Sequence, residues 1–150
     1  MVTLLRTTSA HADFIGLVKL LDEDLAVRDG AEHSFYAQYN TIDAIRHVVV
    51  VHEDGRPVGC GALKPYDGKT AEIKRMYVPP HGRRKGIASR VLHELEAWAR
   101  ELSFEKCVLE TGKKQPEAIA LYRKSGYAVI PNYGQYAGVK NSICFEKKLR

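Results

Sequence analysis

Apolar residues along this chain follow two periods, and the change from one to the other divides it into strands and helices. Residues 2–6 predict a short opening strand. Ser9 or Asp13 then caps a helix whose apolar positions Phe14, Leu17, Val18, Leu21 and Leu25 recur at three and four residues, the spacing of one buried face. Arg28, Asp29 and Gly30 end it. An aromatic and polar stretch at 33–40 leads into a short helical piece over 41–46. The continuous apolar run at 48–52 suits a strand buried on both sides. Turn residues at 53–56 and again at 66–69 separate it from two further strands, 57–63 and 70–78, so the three form an antiparallel meander.

In the last of these strands a period of two puts Ile73, Arg75 and Tyr77 on one face and Glu72, Lys74, Met76 and Val78 on the other. Ile87, Ala88, Val91, Leu92, Leu95, Trp98, Ala99 and Leu102 then mark one stripe of a long amphipathic helix. A strand at 107–110 follows, and strand, helix, strand in that order predicts a right-handed crossover to a parallel neighbour. Pro116 opens a shorter helix where its missing N–H does no harm, and Glu117 sits near the positive end of that helix. Its inner face is Ala118, Leu121, Tyr122 and Ser125, and Gly126 stops it. Closing strands at 127–130 and 142–147 flank a loop at 131–138. With no linker and no internal repeat, residues 1–150 read as one domain with a mixed α/β sheet.

Charge and cysteine content narrow the classes. The formal charge of +5 favours anionic partners, but Lys and Arg are interspersed with Glu, which disfavours nucleic acid. No apolar run approaches the ~18 residues of a membrane span, and the first residues lack a signal peptide's apolar core. Cys60, Cys107 and Cys144 are odd in number, lack metal-ligand spacing and lie in strand runs. They read as buried reduced thiols, which places the protein in a cytoplasm and excludes a metal site. Cys144 has no evident base beside it and is no nucleophile.

One stretch breaks local rules. Arg83, Arg84 and Lys85 fall at the start of the long helix, where the macrodipole makes cations unfavourable by roughly 0.3–1 kcal/mol each. Gly86 falls in its first turn, where glycine costs up to about 1 kcal/mol against alanine. An anion at the helix N-terminus cures both faults: backbone N–H groups point at it, Gly86 lets it approach, and the arginines neutralise it. The stretch therefore predicts a phosphate-bearing ligand. No Walker or dinucleotide-binding glycine pattern is present.

Strand, Arg83-Arg84-Lys85-Gly86-Ile87-Ala88, amphipathic helix, strand, then Ala118-Ile119-Ala120-Leu121-Tyr122-Arg123-Lys124-Ser125-Gly126-Tyr127: this order resembles the GNAT N-acetyltransferase superfamily. The likeness covers most of the chain and is strongest from Glu72 to Tyr127. It implies an α/β (α+β) fold with a mostly antiparallel central sheet of about six to seven strands, a splayed parallel pair and about four helices. It implies acetyl-CoA as co-substrate, with no metal. The pyrophosphate would lie on the amides from Arg84 through Lys85, Gly86, Ile87 and Ala88 to Ser89, with Arg83 beside them. The pantetheine arm would bond the backbone of Met76 and Val78, and an N–H near Met76 or Tyr77 would stabilise the oxyanion.

The same resemblance implies Tyr122 as the acid that protonates the leaving thiolate. Glu72 stands where the histone-acetylating branch has a base acting through water, with Glu110 as the alternative base and His33 behind both. Gln115 replaces an asparagine that many relatives carry. Phe35, Tyr36, Tyr39, Tyr133 and Tyr136 are candidates for the acceptor pocket. Lys74 and Arg75 beside Glu72 hint at tolerance for a carboxylate-bearing acceptor. The leading expectation is acetylation of a primary amine on a small molecule such as an amino acid, a polyamine or an antibiotic-like amine. Protein lysine or N-terminal acetylation, and a non-catalytic acyl-CoA sensor, are the alternatives. A homodimer paired through the last strands or the helices is compatible with the family.

Overall fold

The valine run at 48–51 makes a strand buried on both sides, and helices pack on both faces of the sheet. The computed structural model describes residues 1–29 and 44–149. In chain order these are β1 (Val2–Thr7), α1 (Ala12–Asp29), β2 (His47–Glu53), β3 (Arg56–Pro65), β4 (Thr70–Tyr77), a 3-10 turn (Pro80–Gly82) and α2 (Ile87–Glu101). Then follow β5 (Lys106–Gly112), α3 (Pro116–Lys124), β6 (Ala128–Ile130), a second 3-10 turn (Gly134–Tyr136) and β7 (Ser142–Lys148). The strands form one seven-stranded sheet in the order β1-β2-β3-β4-β5-β7-β6. Every neighbouring pair is antiparallel except β4 and β5. The meander and the crossover are as the periods predict. Three α-helices, not about four, lie among the described residues. Of the helical piece expected over 41–46, residues 41–43 lie outside them and Ala44, Ile45 and Arg46 are not helical.

Two apolar layers sandwich the sheet. On one face Phe14, Leu17 and Val18 of α1 pack on Val48, Val50, Cys60 and Ala62. On the other, Val91, Leu92, Leu95 and Ala99 of α2 pack on Val49, Val51, Leu63, Ile73 and Leu109. The cap of α1 is neither candidate: His11 Nδ1 accepts the Asp13 N–H at 3.1 Å, while Ser9 Oγ accepts the N–H of Ile45 at 2.9 Å. A buried glutamate on α2, Glu96, is matched from the far end of the sheet. It accepts the Tyr127 hydroxyl at 2.9 Å and the Lys147 ammonium at 2.9 Å, the pairing a buried charge requires.

Close approach of α2 depends on the small residues of β3. A Cβ at Gly61 would stand 2.7 Å from Val91 Cγ1 and from Met76 Sδ, and 2.8 Å from Leu95 Cδ1. At Gly59 it would meet Ile87 Cγ2 at 2.6 Å. Gly61→Val is expected to cost about 1–3 kcal/mol by overpacking this seam. Scanning calorimetry checks it against Gly68→Ala, where the added Cβ meets nothing within 4 Å and the melting temperature should not move.

Candidate active site

The sheet opens at its one parallel pair. β4 and β5 are joined only at Thr70↔Lys106, Ala71↔Cys107 and Glu72↔Val108, and beyond Glu72 the two strands part. β5 instead pairs along its whole length with β7, from Lys106↔Lys148 to Gly112↔Ser142. β4 stays with β3 but carries a bulge: Ala62 faces Lys74, yet Cys60 faces Tyr77. Arg75 takes the extra position in a left-handed conformation, with φ 60°. The bulge breaks the period of two on which the expected faces rest. Ile73 and Met76 both turn to the α2 side, whereas Tyr77 packs with Cys60 on the α1 side. Arg75 also points to α1, its Nη1 3.1 Å from Asp22 Oδ1.

A cleft of about 100 Å3 fills the gap between the parted strands. Glu72, Lys74, Arg75, Met76, Glu110, Gln115, Tyr122 and Tyr136 line it, with Leu21 and Leu25 of α1. Glu72 is buried, and its Oε2 accepts the Tyr133 hydroxyl at 2.7 Å. Glu110 Oε2 accepts the Ser142 hydroxyl at 2.7 Å. Both carboxylates thus hold neutral donors and face one space. Burial first, then the charge of Glu72, pushes the Tyr133 phenol above its ordinary pKa, so it stays a donor. Tyr122 is buried between Tyr127 and Phe145, and burial followed by the Glu110 charge raises its pKa as well. Tyr136 is held the same way by burial and by Glu110 and Glu72. The Cys144 thiol, raised to about 11 by burial, is protonated at neutral pH.

The basic tract sits differently from its expected place. α2 begins at Ile87, so Arg83, Arg84 and Lys85 precede the helix, and Gly86 is its N-cap with φ 74°. Its glycine therefore serves a left-handed cap, not a helical turn. The first helical bond runs from the Arg90 N–H to the Gly86 carbonyl, leaving the amides of Ile87, Ala88 and Ser89 without a helical acceptor. Arg83 Nε donates to the Val78 carbonyl at 2.9 Å, and Lys85 Nζ meets Glu53 Oε1 at 2.9 Å. Arg84 is exposed, itself left-handed at φ 66°. A Cβ at Gly86 would meet nothing within 4 Å, so the helix end is open to a ligand.

Of the acceptor-pocket candidates, Tyr133 and Tyr136 belong to the cleft region, stacked edge to face at 5.9 Å, with Tyr66 against Tyr133 at 5.1 Å. Phe35, Tyr36, Tyr39 and His33 lie outside the described residues. Gln115 is the N-cap of α3 and lines the cleft, its side chain making no cap hydrogen bond. Three participants escaped the sequence reading. Ser142 carried no signal beyond opening a strand. Leu21 and Leu25 read as core, and Asp22, an acid between them, was the available hint of a cation opposite.

Residues 14–127 match the acetyltransferase (GNAT) family. An IAA acetyltransferase of Azospirillum brasilense is 34% identical over 99% of this chain and 98% of its own. An N-acetyltransferase of Bacillus subtilis, YsnE, of uncharacterised activity, is 36% identical over 61% of this chain and 62% of its own. Among solved structures, a Klebsiella pneumoniae protein assigned to the acyl-CoA N-acyltransferases superposes with TM-score 0.84 at 28% identity, covering 100% of this chain and 99% of that one. The PaiA N-acetyltransferase of Thermoplasma acidophilum, solved with coenzyme A, gives TM-score 0.72 at 19% identity over 99% of both chains. With that family match across the meander, the parted strands and both following helices, the chain belongs to the GNAT acetyltransferase family.

Proposed function

We propose that this protein transfers the acetyl group of acetyl-CoA to a primary amine of a small molecule, by direct attack within a ternary complex. The observation that carries this reading is the cleft between β4 and β5. It has two carboxylates facing it, a buried phenol on its opposite wall, and an open helix N-terminus at the end of the preceding connection. The residues present fit the coenzyme. The amides of Ile87, Ala88 and Ser89 and the cations of Arg83, Arg84 and Lys85 suit a pyrophosphate. The backbone of Met76, Tyr77 and Val78, beyond the last rung of the β4–β5 ladder, suits an amide-bearing arm. The coenzyme supplies an activated thioester. Three buried free thiols suit a reducing cytoplasm.

The chain's own groups manage two protons. Glu72 takes one from the acceptor ammonium, directly or through water, so that the nitrogen can form its bond to the acetyl carbon. Tyr133 orients the Glu72 carboxylate by occupying Oε2, which leaves Oε1 for the incoming proton. A backbone N–H of β4 near Met76 or Tyr77 meets the oxyanion. Tyr122 gives its proton to the sulfur as the carbon–sulfur bond breaks, and the second proton that the nitrogen sheds in becoming an amide passes to solvent, from which the phenol regains its own. Amide, free thiol and one released proton complete the balance. Glu110, held by Ser142, is the alternative base. Tyr136, Leu21 and Leu25 narrow the cleft to small acceptors, which favours them over a peptide.

Three substitutions separate these roles. Gly86→Glu should abolish coenzyme A binding in calorimetry, whereas Gly86→Ala, which carries only the left-handed strain of roughly 1 kcal/mol, should keep it. Normal affinity in Gly86→Glu would sink the anion site. Tyr122→Phe should lower kcat by on the order of 100-fold with acetyl-CoA affinity unchanged, followed by thiol release. Because burial keeps the phenol protonated, that loss should be constant across the neutral range. Tyr133→Phe should cut kcat about tenfold without changing the KM for acetyl-CoA; unaltered turnover would show that Glu72 needs no such partner.

A further inference from the structure

Tyr133 belongs to the loop between β6 and β7, yet a single hairpin on the other side of the gap grips it at two points. Its hydroxyl donates to Glu72 of β4. Its ring is met edge to face by Tyr66, with centroids 5.1 Å apart and planes at 77°. Tyr66 follows directly on Pro65, the last residue of β3, and lies in the turn that leads into β4. It is 46% exposed and stands outside the cleft lining, so acetyl transfer by itself calls for no aromatic there. We propose that Tyr66 is a positioning residue for the base: its ring holds the Tyr133 phenol in the orientation that delivers the hydroxyl to Glu72. The proposal rests on the acetyltransferase reading above, with Glu72 as base, and adds to it a residue that acts from outside the cleft.

The turn that carries Tyr66 is braced. Asp67 Oδ1 accepts the N–H groups of Lys69 and Thr70, both at 2.8 Å, as a short acidic side chain does in a tight turn. The Tyr66 N–H itself donates to the Thr70 carbonyl at 2.8 Å. On the strands beyond, Pro65 faces Ala71 and Lys64 faces Glu72. Tyr66 and Glu72 are therefore held in one frame, and a phenol touched by both has its ring and its hydroxyl fixed together.

The loop's own contacts do not set that orientation. Asn132 Nδ2 donates to the carbonyls of Val139 and Ser142, at 2.9 and 3.1 Å, which ties the loop to itself and to the start of β7. Tyr136 meets Tyr133 from within the same loop and would move with it. Tyr66 instead refers the phenol to the hairpin that holds Glu72. An edge-to-face pair is directional, so it sets the angle of the ring as well as its distance. Tyr66 also reaches Gly134, where an added Cβ would stand 3.5 Å from its Oη. Among the described residues its hydroxyl makes no hydrogen bond, so the ring is the part that acts.

The test follows thiol release from acetyl-CoA with a panel of small amines, in single and double variants. Tyr66→Ala should lower kcat by about three- to tenfold, the order expected for losing one edge-to-face pair, with the KM for acetyl-CoA unchanged. Tyr66→Phe keeps the ring and should restore kcat to within about twofold of wild type. In a Tyr133→Phe background, which already lacks the hydroxyl, Tyr66→Ala should have no further effect on kcat. An unchanged kcat in Tyr66→Ala, an equal loss in Tyr66→Phe, or the same fold loss in both backgrounds overturns the proposal. If no amine releases thiol with the wild-type protein, the acetyltransferase reading for small amines fails, and equilibrium unfolding in denaturant then decides the grip by itself. The stability lost in Tyr133→Phe should shrink by about half or more when residue 66 is alanine, and an equal loss in both backgrounds refutes it.

Discussion

A strand inside a sheet must place every backbone N–H and C=O, and β4 cannot place all of its own on protein. Its ladder to β5 ends after three residues because β5 is committed to β7 along its whole length, while β4 follows β3 through a bulge. The gap that results sits in the middle of the sheet and is lined by buried and half-buried residues. Backbone groups left unpaired in such a place are costly unless something meets them. The cleft, its carboxylates and the coenzyme-facing wall all follow from this single parting of strands.

Much of this was legible in the sequence, and the failures have a common cause. Patterns that repeat located their elements: the run Val48 to Val51 gave β2 to within a residue or two, and the stripe of α2 gave its end, although α2 starts at Ile87 and not at Arg83. Single-residue departures from a pattern did not show. The left-handed turn at Arg75 shifts the side-chain alternation of β4, and an arginine there carries no local mark of it, as a glycine would. The same blindness misplaced Gly86 inside a helical turn when it is the cap before it. Pairings across long separations were also hidden. Tyr133 was legible as an aromatic near the acceptor; its bond to a glutamate 61 residues away was not.

Buried charge is handled in two distinct ways. Glu96 is compensated in full beneath the sheet, by a lysine and a phenol, and lies among residues packed for stability. In the cleft, hydroxyls bind Glu72 and Glu110 while Lys74 and Arg75 share the same lining. The distinction lies in the setting, a packed core in one case and a cleft shared by carboxylates and cations in the other.

The strand order has a consequence for how the chain comes off the ribosome. β7 follows both β5 and β6 in the chain yet lies between them in the sheet. Until its residues emerge, β5 has an open edge and the three-residue β6 has no partner in the sheet. β1 to β4 and α2 precede β7 in the chain and can be assembled earlier in synthesis. The β5 side of the cleft closes only when β7 slides into its slot between β5 and β6. Until β7 is in place, a nascent chain exposes an unpaired edge on β5.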